Sequence, residues 1–378
     1  MVQQRAGTAS AGDAADDPAL LAGFTIAVIS HRRRHRLADL LERYGARIVS
    51  VQGVRAVPQP DPEALRRAAA AVLDGPVDDV VAASATGVRA WLSAAPDPER
   101  LLAALRPARL LAADARTADA LRAAGLHDVM STAAGSASQL YRYLLTHEPA
   151  GRRIAALLDA PEQAEACRSL RIRGAEVVEV PTYVTQPPND VLGVRRVVEL
   201  MSRRQLDAVA WLDPVGAEHV LRFATAHGRL PAVVAQLGVH VPAVGYGPLA
   251  AAALRGHGVE PAEPPMPFDE ESAALLARSV LDRVVHATVD GMTLQVRGHA
   301  ALVDGRLYPI QRGPIDVLRV LAQAPESVLA SGDIRRLVPG LADVDDHAIE
   351  MAVSRLRRAV PGIDLVQTVI KRGYRLAA

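Results

Sequence analysis

The chain has 378 residues, more than one hydrophobic core usually serves, and its 43 basic and 42 acidic side chains leave a formal net charge of +1. Two or three domains are expected. Cys167 is the single cysteine, which excludes internal disulfides and thiolate zinc clusters, and Lys371 is the single lysine, which excludes a P-loop, a Schiff-base site or a receiver-type phospho-acceptor pocket from everything before it. Only 3% of the residues are aromatic, so Ala, Leu and Val carry the packing, and ring platforms for single-stranded nucleic acid are disfavoured.

Met1 to Pro18 is rich in Ala, Gly and Asp and reads as a disordered tail without the apolar run of a signal peptide. No segment approaches the apolar length of a membrane span, so a soluble, cytoplasmic protein without a membrane partner is expected. Phe24 to Ile29 reads as a buried strand. A basic turn, His31 to Arg36, follows it and leads into a helix with Leu37, Leu40, Leu41 and Tyr44 on one face. Gly45 ends that helix, and Ala46 to Val51 forms the next strand.

The same β-α rhythm recurs at Asp79 to Ala83 before Val88 to Leu92, and at Leu110 to Ala112 before Thr117 to Ala124. It returns at Ile154 to Leu158 before Ala164 to Leu170 and Ala175 to Val180, then at Asp207 to Leu212 before Ala217 to Ala226, and at Val241 to Val244 before Leu249 to Leu254. Such alternation predicts an α/β region of parallel sheets with helices on both faces.

Pro261, Pro264, Pro265 and Pro267 close that region, and Asp269 to Val285 reads as an amphipathic helix. The pattern changes at about Ala287. Met292 to Val296, His299 to Val303 and Arg306 to Ile310 are short strands separated by Arg297-Gly298 and Asp304-Gly305 turns. Three helices follow: Pro314 to Gln323, a second capped by Ser331 and running to Val338, and a third from Ala348 to Val360, so a separate α+β domain is expected.

Charge is concentrated at the carboxyl end. From Met351 onward, Arg355, Arg357, Arg358, Lys371, Arg372 and Arg375 face a single acid, Asp364, a footprint that suits double-stranded DNA. On a helical wheel Ile349, Val353, Leu356 and Val360 form one stripe, while His347, Met351, Ser354, Arg355 and Arg358 lie opposite. A helix anchored by one face and presenting arginine on the other can enter a major groove, or can simply carry a solvated outer face.

At the amino end, Arg32, Arg33 and Arg34 follow the first strand at the edge where open α/β sheets hold ligands. They are candidates to clamp an anion, the alternative being a solvated basic turn. His35 has no partner at metal-ligand spacing, and no metal site is expected.

The segments IQRGPIDVLRVLAQAP, DHAIEMAVSRLRRAV and VQTVIKRGYRL, in that order, resemble the winged-helix output domain of OmpR-class response regulators. That resemblance implies a four-stranded sheet, three helices with the third as recognition helix, and a wing that reaches the neighbouring minor groove. It implies Arg355 as a base-reading or groove-facing residue, Arg357 and Tyr374 as phosphate contacts, and Thr368, Lys371 and Arg372 as the wing. Tyr374 can equally close the hairpin core. Ser354 and Ala352 stand where many members carry Arg and His, so base preference does not transfer.

Upstream, DVVAASATGV (Asp79 to Val88), Arg116-Thr117-Ala118, RGAEVVEVPTYVT (Arg173 to Thr185), Asp207 to Gly216 and Gly247-Pro248 resemble uroporphyrinogen-III synthase. The family resemblance implies two lobes flanking a cleft for a linear tetrapyrrole, with no cofactor. It places the discontinuous first lobe at 21–55 and 186–268 and the second at 56–185; with the residue pattern and the OmpR-class resemblance, the expected division adds a tail at 1–20, a connecting helix at 269–286 and the winged helix-turn-helix at 287–378. Ser84, Thr117 and Tyr183 match its cleft hydroxyls. Read from the residues alone, the first two are equally helix caps or loop hydroxyls, and the third a hinge-packing ring.

The departures concern charge. Gly247-Pro248-Leu249-Ala250 lacks the usual threonine, Asp213 replaces a serine, and Asp114 replaces a glycine; a carboxylate facing a polycarboxylate ligand repels it.

The two resemblances together are similar to actinobacterial fusions of this enzyme fold to a DNA reader. They imply a transcriptional regulator of nitrate and nitrite assimilation that binds promoter DNA and self-associates there. They also imply a tetrapyrrole or small anionic effector and a second regulator as partners. The alternative is an active uroporphyrinogen-III synthase that cyclises hydroxymethylbilane while carrying a DNA-binding domain.

Overall fold

The computed structural model describes residues 18–31, 35–131, 137–161, 163–265, 268–338 and 345–377. Most of the expected tail, up to residue 17, and the Arg32, Arg33 and Arg34 turn lie outside the described residues. The chain enters through β1 (Thr25–Ser30), α1 (Arg36–Arg43) and β2 (Arg47–Gln52), then leaves along β3 (Arg55–Pro58). A second unit follows, built from α2 (Pro62–Leu73), β4 (Asp79–Ala82), α3 (Ala85–Ala94), α4 (Pro98–Leu105), β5 (Arg109–Ala112) and α5 (Ala115–Ala123). It continues with β6 (Val129–Ser131), α6 (Ala137–Thr146), β7 (Arg153–Leu158), α7 (Gln163–Ile172) and β8 (Glu176–Pro181). Strand β9 (Tyr183–Gln186) returns the chain to α8 (Val191–Ser202), β10 (Ala208–Trp211), α9 (Pro214–Ala226), α10 (Leu230–Gln236), β11 (Ala243–Gly245), α11 (Pro248–Gly256) and α12 (Asp269–Leu281).

The first lobe is a parallel sheet of order β11-β10-β1-β2, so strands from both ends of the α/β region lie side by side. The second is a parallel sheet of order β6-β5-β4-β7-β8. Between the lobes runs an antiparallel ribbon, β3 against β9, with Val57 opposite Val184. Strands β1, β4, β10 and β11 are buried along their whole length, because helices cover both faces and each strand is centred on an apolar run.

Helix α12 was expected as a connector. It packs instead as a full layer of the first lobe, where Ala273, Leu276, Ala277 and Val280 join Ile26, Val28, Leu37 and Leu41 in one core.

The remaining chain forms a meander of β12 (Val285–Val289), β13 (Met292–Val296), β14 (Ala300–Val303) and β15 (Arg306–Pro309), followed by α13 (Arg312–Gln323), α14 (Ser331–Leu337), α15 (Asp346–Ala359) and the hairpin β16 (Val366–Val369) with β17 (Gly373–Leu376). Its core is its own, built from Leu294, Val296, Ile315, Leu318, Ile349, Leu356 and Leu376 among others.

Two local expectations change here. The helix expected to reach Val285 stops at Leu281, and Val285 opens β12. Ser331 is not a cap, since Ala330 holds that position without any side-chain bond.

Candidate functional site

Helix α15 is anchored by Ile349, Ala352, Val353 and Leu356, all buried, and is capped by Asp345, whose carboxylate accepts the Ala348 amide at 3.1 Å. Anchoring that stripe leaves His347, Met351, Ser354, Arg355 and Arg358 exposed on the outer side. Arg357 is placed differently. Its guanidinium donates to the Val366 carbonyl at 2.7 Å and to the Thr368 hydroxyl at 2.9 Å, so it clasps α15 to the wing.

Thr368 and Tyr374 sit opposite each other across the hairpin. The Tyr374 ring packs against the domain core, its peptide exchanges hydrogen bonds of 2.8 and 2.9 Å with Leu329, and burial raises its phenol pKa. At the wing tip Lys371 adopts φ +58°, and Ile370 is 82% exposed beside Lys371 and Arg372. Gly373, at φ +130°, lets the hairpin close on α14's approach, because a Cβ there would overlap the Leu329 carbonyl oxygen.

The residues expected to line a cleft lie at or near the carboxyl ends of the two parallel sheets. Ser84 and Thr117 follow the adjacent strands β4 and β5 of the second lobe, Tyr183 opens β9 of the ribbon shortly after β8, and Asp213 and Gly247 follow β10 and β11 of the first lobe. The helix N-termini at these positions are filled by the chain itself. Ser84 accepts the Gly87 amide at 3.1 Å, Asp114 accepts the Thr117 amide at 2.7 Å, and Asp213 accepts the Gly216 amide at 2.5 Å.

Ser84 is therefore a cap. At α5 the cap is Asp114 and not Thr117, whose wholly buried hydroxyl has no hydrogen-bond partner among the described residues. Asp213 is buried and turned onto its own helix. Tyr183 is half-buried in the ribbon opposite Pro58 and packs against the second-lobe core.

Gly247 supplies no side chain to cap α11, and the second lobe does so in its place. Glu165 of α7 is fully buried, and its Oε1 accepts the amides of Leu249 and Ala250 of the first lobe. Burial pushes its pKa up, and the two amide bonds oppose that rise. Phe268 fastens the lobes a second time. It is buried in the second-lobe core under the Arg142 guanidinium, 4.3 Å from the ring centre, and Arg142 also pairs with Glu271 at 2.7 Å and Glu270 at 3.0 Å. Sequence reasoning missed Glu165 and Arg142, because each is a charged residue on an amphipathic helix and its partner lies far along the chain.

A third cluster joins the first lobe to the C-terminal domain. The buried Asp207 carboxylate accepts the Thr25 amide at 2.8 Å and lies 2.9 Å from both His299 Nδ1 and Arg312. Burial pushes this carboxyl up, but the His299 bond and charge, Arg312 and the Thr25 amide outweigh it and hold the pKa below the usual range. Arg204 pairs with Asp316, and Arg297 donates to the Ala22 carbonyl at 2.9 Å. Among the described residues no helix is long and apolar enough to cross a membrane, and no group of His, Cys, Asp or Glu is arranged to hold a metal.

Comparison with known proteins agrees with the two-part architecture. The family model described as uroporphyrinogen-III synthase HemD matches residues 35–273, and that described as transcriptional regulatory protein, C terminal, matches 306–376. The chain belongs to the uroporphyrinogen-III synthase HemD family and carries an OmpR-type DNA-binding regulatory domain at its carboxyl end.

Among solved structures it is similar to the Thermus thermophilus uroporphyrinogen III synthase, at 26% identity over 68% of this chain and 99% of that one, with a TM-score of 0.31. The uroporphyrinogen-III synthetase of Helicobacter pylori is similar at 12% identity over 67% and 97%, TM-score 0.31. The DNA-binding domain of CpxR from E. coli is similar at 28% identity over 25% and 96%, TM-score 0.22. No curated protein matches the chain.

Proposed function

We propose that this protein is a cytoplasmic transcriptional regulator that binds double-stranded promoter DNA through α15 and the wing, with the HemD-like region serving as sensor rather than synthase. The observation that carries the reading is the pairing of an exposed, basic outer face on α15 with a cleft whose helix N-termini already hold the chain's own side chains. A helix N-terminus attracts carboxylates, and here those of Asp114, Asp213 and Glu165 take the places a polycarboxylate substrate would need.

Arg355 reads a base edge, Arg358, Lys371 and Arg372 grip phosphates, and Arg357 and Tyr374 hold the helix and wing at a fixed angle while facing the backbone. The remaining outer-face residues, His347, Met351, Ser354 and Thr368, line the same surface. The functional division is first lobe 21–55 with 186–268, covered by α12, second lobe 56–185, and the DNA reader from 287 onward. Protomers pair on repeated half-sites, with a second regulator as a further partner. We propose nitrate and nitrite assimilation genes as the targets and a tetrapyrrole or small anion as the effector, as the resemblance to such fusions implies.

Incubation of the purified chain with hydroxymethylbilane tests the sensor assignment: the porphyrin product should be isomer I at the spontaneous rate. Isomer III above background makes the protein a working synthase. Transcript levels of nitrite reductase genes in a deletion strain test the target assignment, and unchanged levels through a nitrate shift contradict it.

A further inference from the structure

We infer that the joint between the first lobe and the C-terminal domain is a binding site for a small, multiply charged anion carrying phosphate or carboxylate groups, and that its occupant competes with DNA for Arg355. The inference rests on the reading of Arg355 as a groove-facing residue. A cavity of about 540 Å³ lies at this joint, the size of a small-molecule site and far too small for a duplex. Arg47 and Arg196 reach it from the first lobe, and Arg312 and Arg355 from the C-terminal domain, with His299 beside them.

Its lining contains no carboxylate. Arg312 is committed to Asp207, but among the described residues the side chains of Arg47, Arg196 and Arg355 make no hydrogen bond or ion pair. Helix α13 also begins at this cavity, at Gln311, Arg312 and Gly313, and has no side-chain cap.

Like charges converging from two domains repel unless something neutralises them, and that repulsion acts directly on the joint. An anion with two or more charged groups removes it. It takes forked hydrogen bonds from the guanidinium groups and sits at the positive end of α13. Arg355 is the one residue of the α15 outer face that lines this cavity, so an anion bound there ties the reading helix to the first lobe. The same guanidinium cannot then engage a base, and by linkage the operator must weaken the anion as much as the anion weakens the operator.

The full chain is titrated calorimetrically with sodium pyrophosphate and with citrate, against chloride at matched ionic strength. Operator binding is then measured with and without each anion, using duplex from the protein's own upstream region. At least one anion should bind with a stoichiometry of one and weaken operator binding by about fivefold or more. The R47A/R196A double variant changes two exposed side chains outside the winged helix. It should bind the anion about tenfold more weakly, lose the competition and keep its anion-free operator affinity.

Three results overturn the inference: no binding beyond the chloride control, unchanged anion binding in the double variant, or a double variant whose anion-free DNA affinity falls with a shallower salt dependence. The last would assign these arginines to the DNA backbone. If the wild type binds pyrophosphate through Arg47 and Arg196 but binds no duplex, the anion pocket stands while the competition and the regulator reading fall.

Discussion

Asp207 shows how one side chain couples two folded units. Its carboxylate is buried at the carboxyl end of the turn before β10, yet three donors from three separate segments converge on it, and Gly298 lies so close that a Cβ there would overlap it. Removing one member of a buried, hydrogen-bonded charge cluster strands the others, so D207N should destabilise the protein by about 3 kcal/mol in chemical denaturation.

The sign of the pH effect follows from a pKa held below the ordinary value of about 3.9. The contribution is complete above the unfolded value and is lost as pH falls through the folded one. The stability gap between wild type and D207N should therefore be level at neutral pH and shrink in acid. A gap that widens in acid assigns the cluster a different ionisation. G298A, which changes no charge, should loosen the same joint by steric overlap, read as earlier proteolysis between α12 and β13.

Glu165 works in the opposite sense. Burial raises its pKa, so its ionised form is penalised in the fold, and wild-type stability should decline as pH rises from about 4.3 through the raised value. E165Q keeps an acceptor for the Leu249 and Ala250 amides and should remove that decline in pH-dependent melts. E165A leaves the amides bare and should lie about 1 to 3 kcal/mol below E165Q at every pH. Equal stability and equal pH profiles for all three proteins contradict a latch at this position.

At the scale of elements, the wing is oriented by its contacts more than by its own two strands. Arg357 ties it to α15, and the Leu329 and Tyr374 pair ties it to the approach of α14. G373A breaks the second tie, since the glycine combines φ +130° with a crowded Cβ direction. It should weaken DNA binding while leaving the HemD-like region folded, checked by circular dichroism and gel shift together.

Much of this level was readable in the chain. Alternating apolar runs and helical stripes located the parallel sheets, and the Ile349, Val353 and Leu356 stripe selected the buried side of α15. The end of α12 was not readable, because Val280, Leu281 and Val284 continue the helical period and nothing local marks the turn before Val285. Asp114, Asp213 and Glu165 were harder still. A carboxylate near a helix start reads equally as a cap, a ligand-facing group or surface, and only folding shows that Glu165 crosses between lobes to cap a helix 84 positions away.

Across the whole molecule, the HemD-like lobes are fastened together by Glu165 and by Phe268 with Arg142, and the C-terminal domain is docked on the first lobe through Asp207, Asp316 and Arg297. Such a chain of contacts can pass a change in lobe closure to the reading helix only if the joint has two arrangements with different ligand affinity. The arginine cavity at that joint is where such a difference is most directly built.

The central claim is that the exposed face of α15 and the wing read duplex DNA. It is tested most directly by fluorescence anisotropy of the full chain on its own upstream DNA across a salt series. R355A should lose about 1 to 3 kcal/mol of discrimination between specific and random duplex, while R372A should weaken both equally and lower the salt slope by about 1. Wild-type affinity and salt dependence retained in both variants would contradict the account.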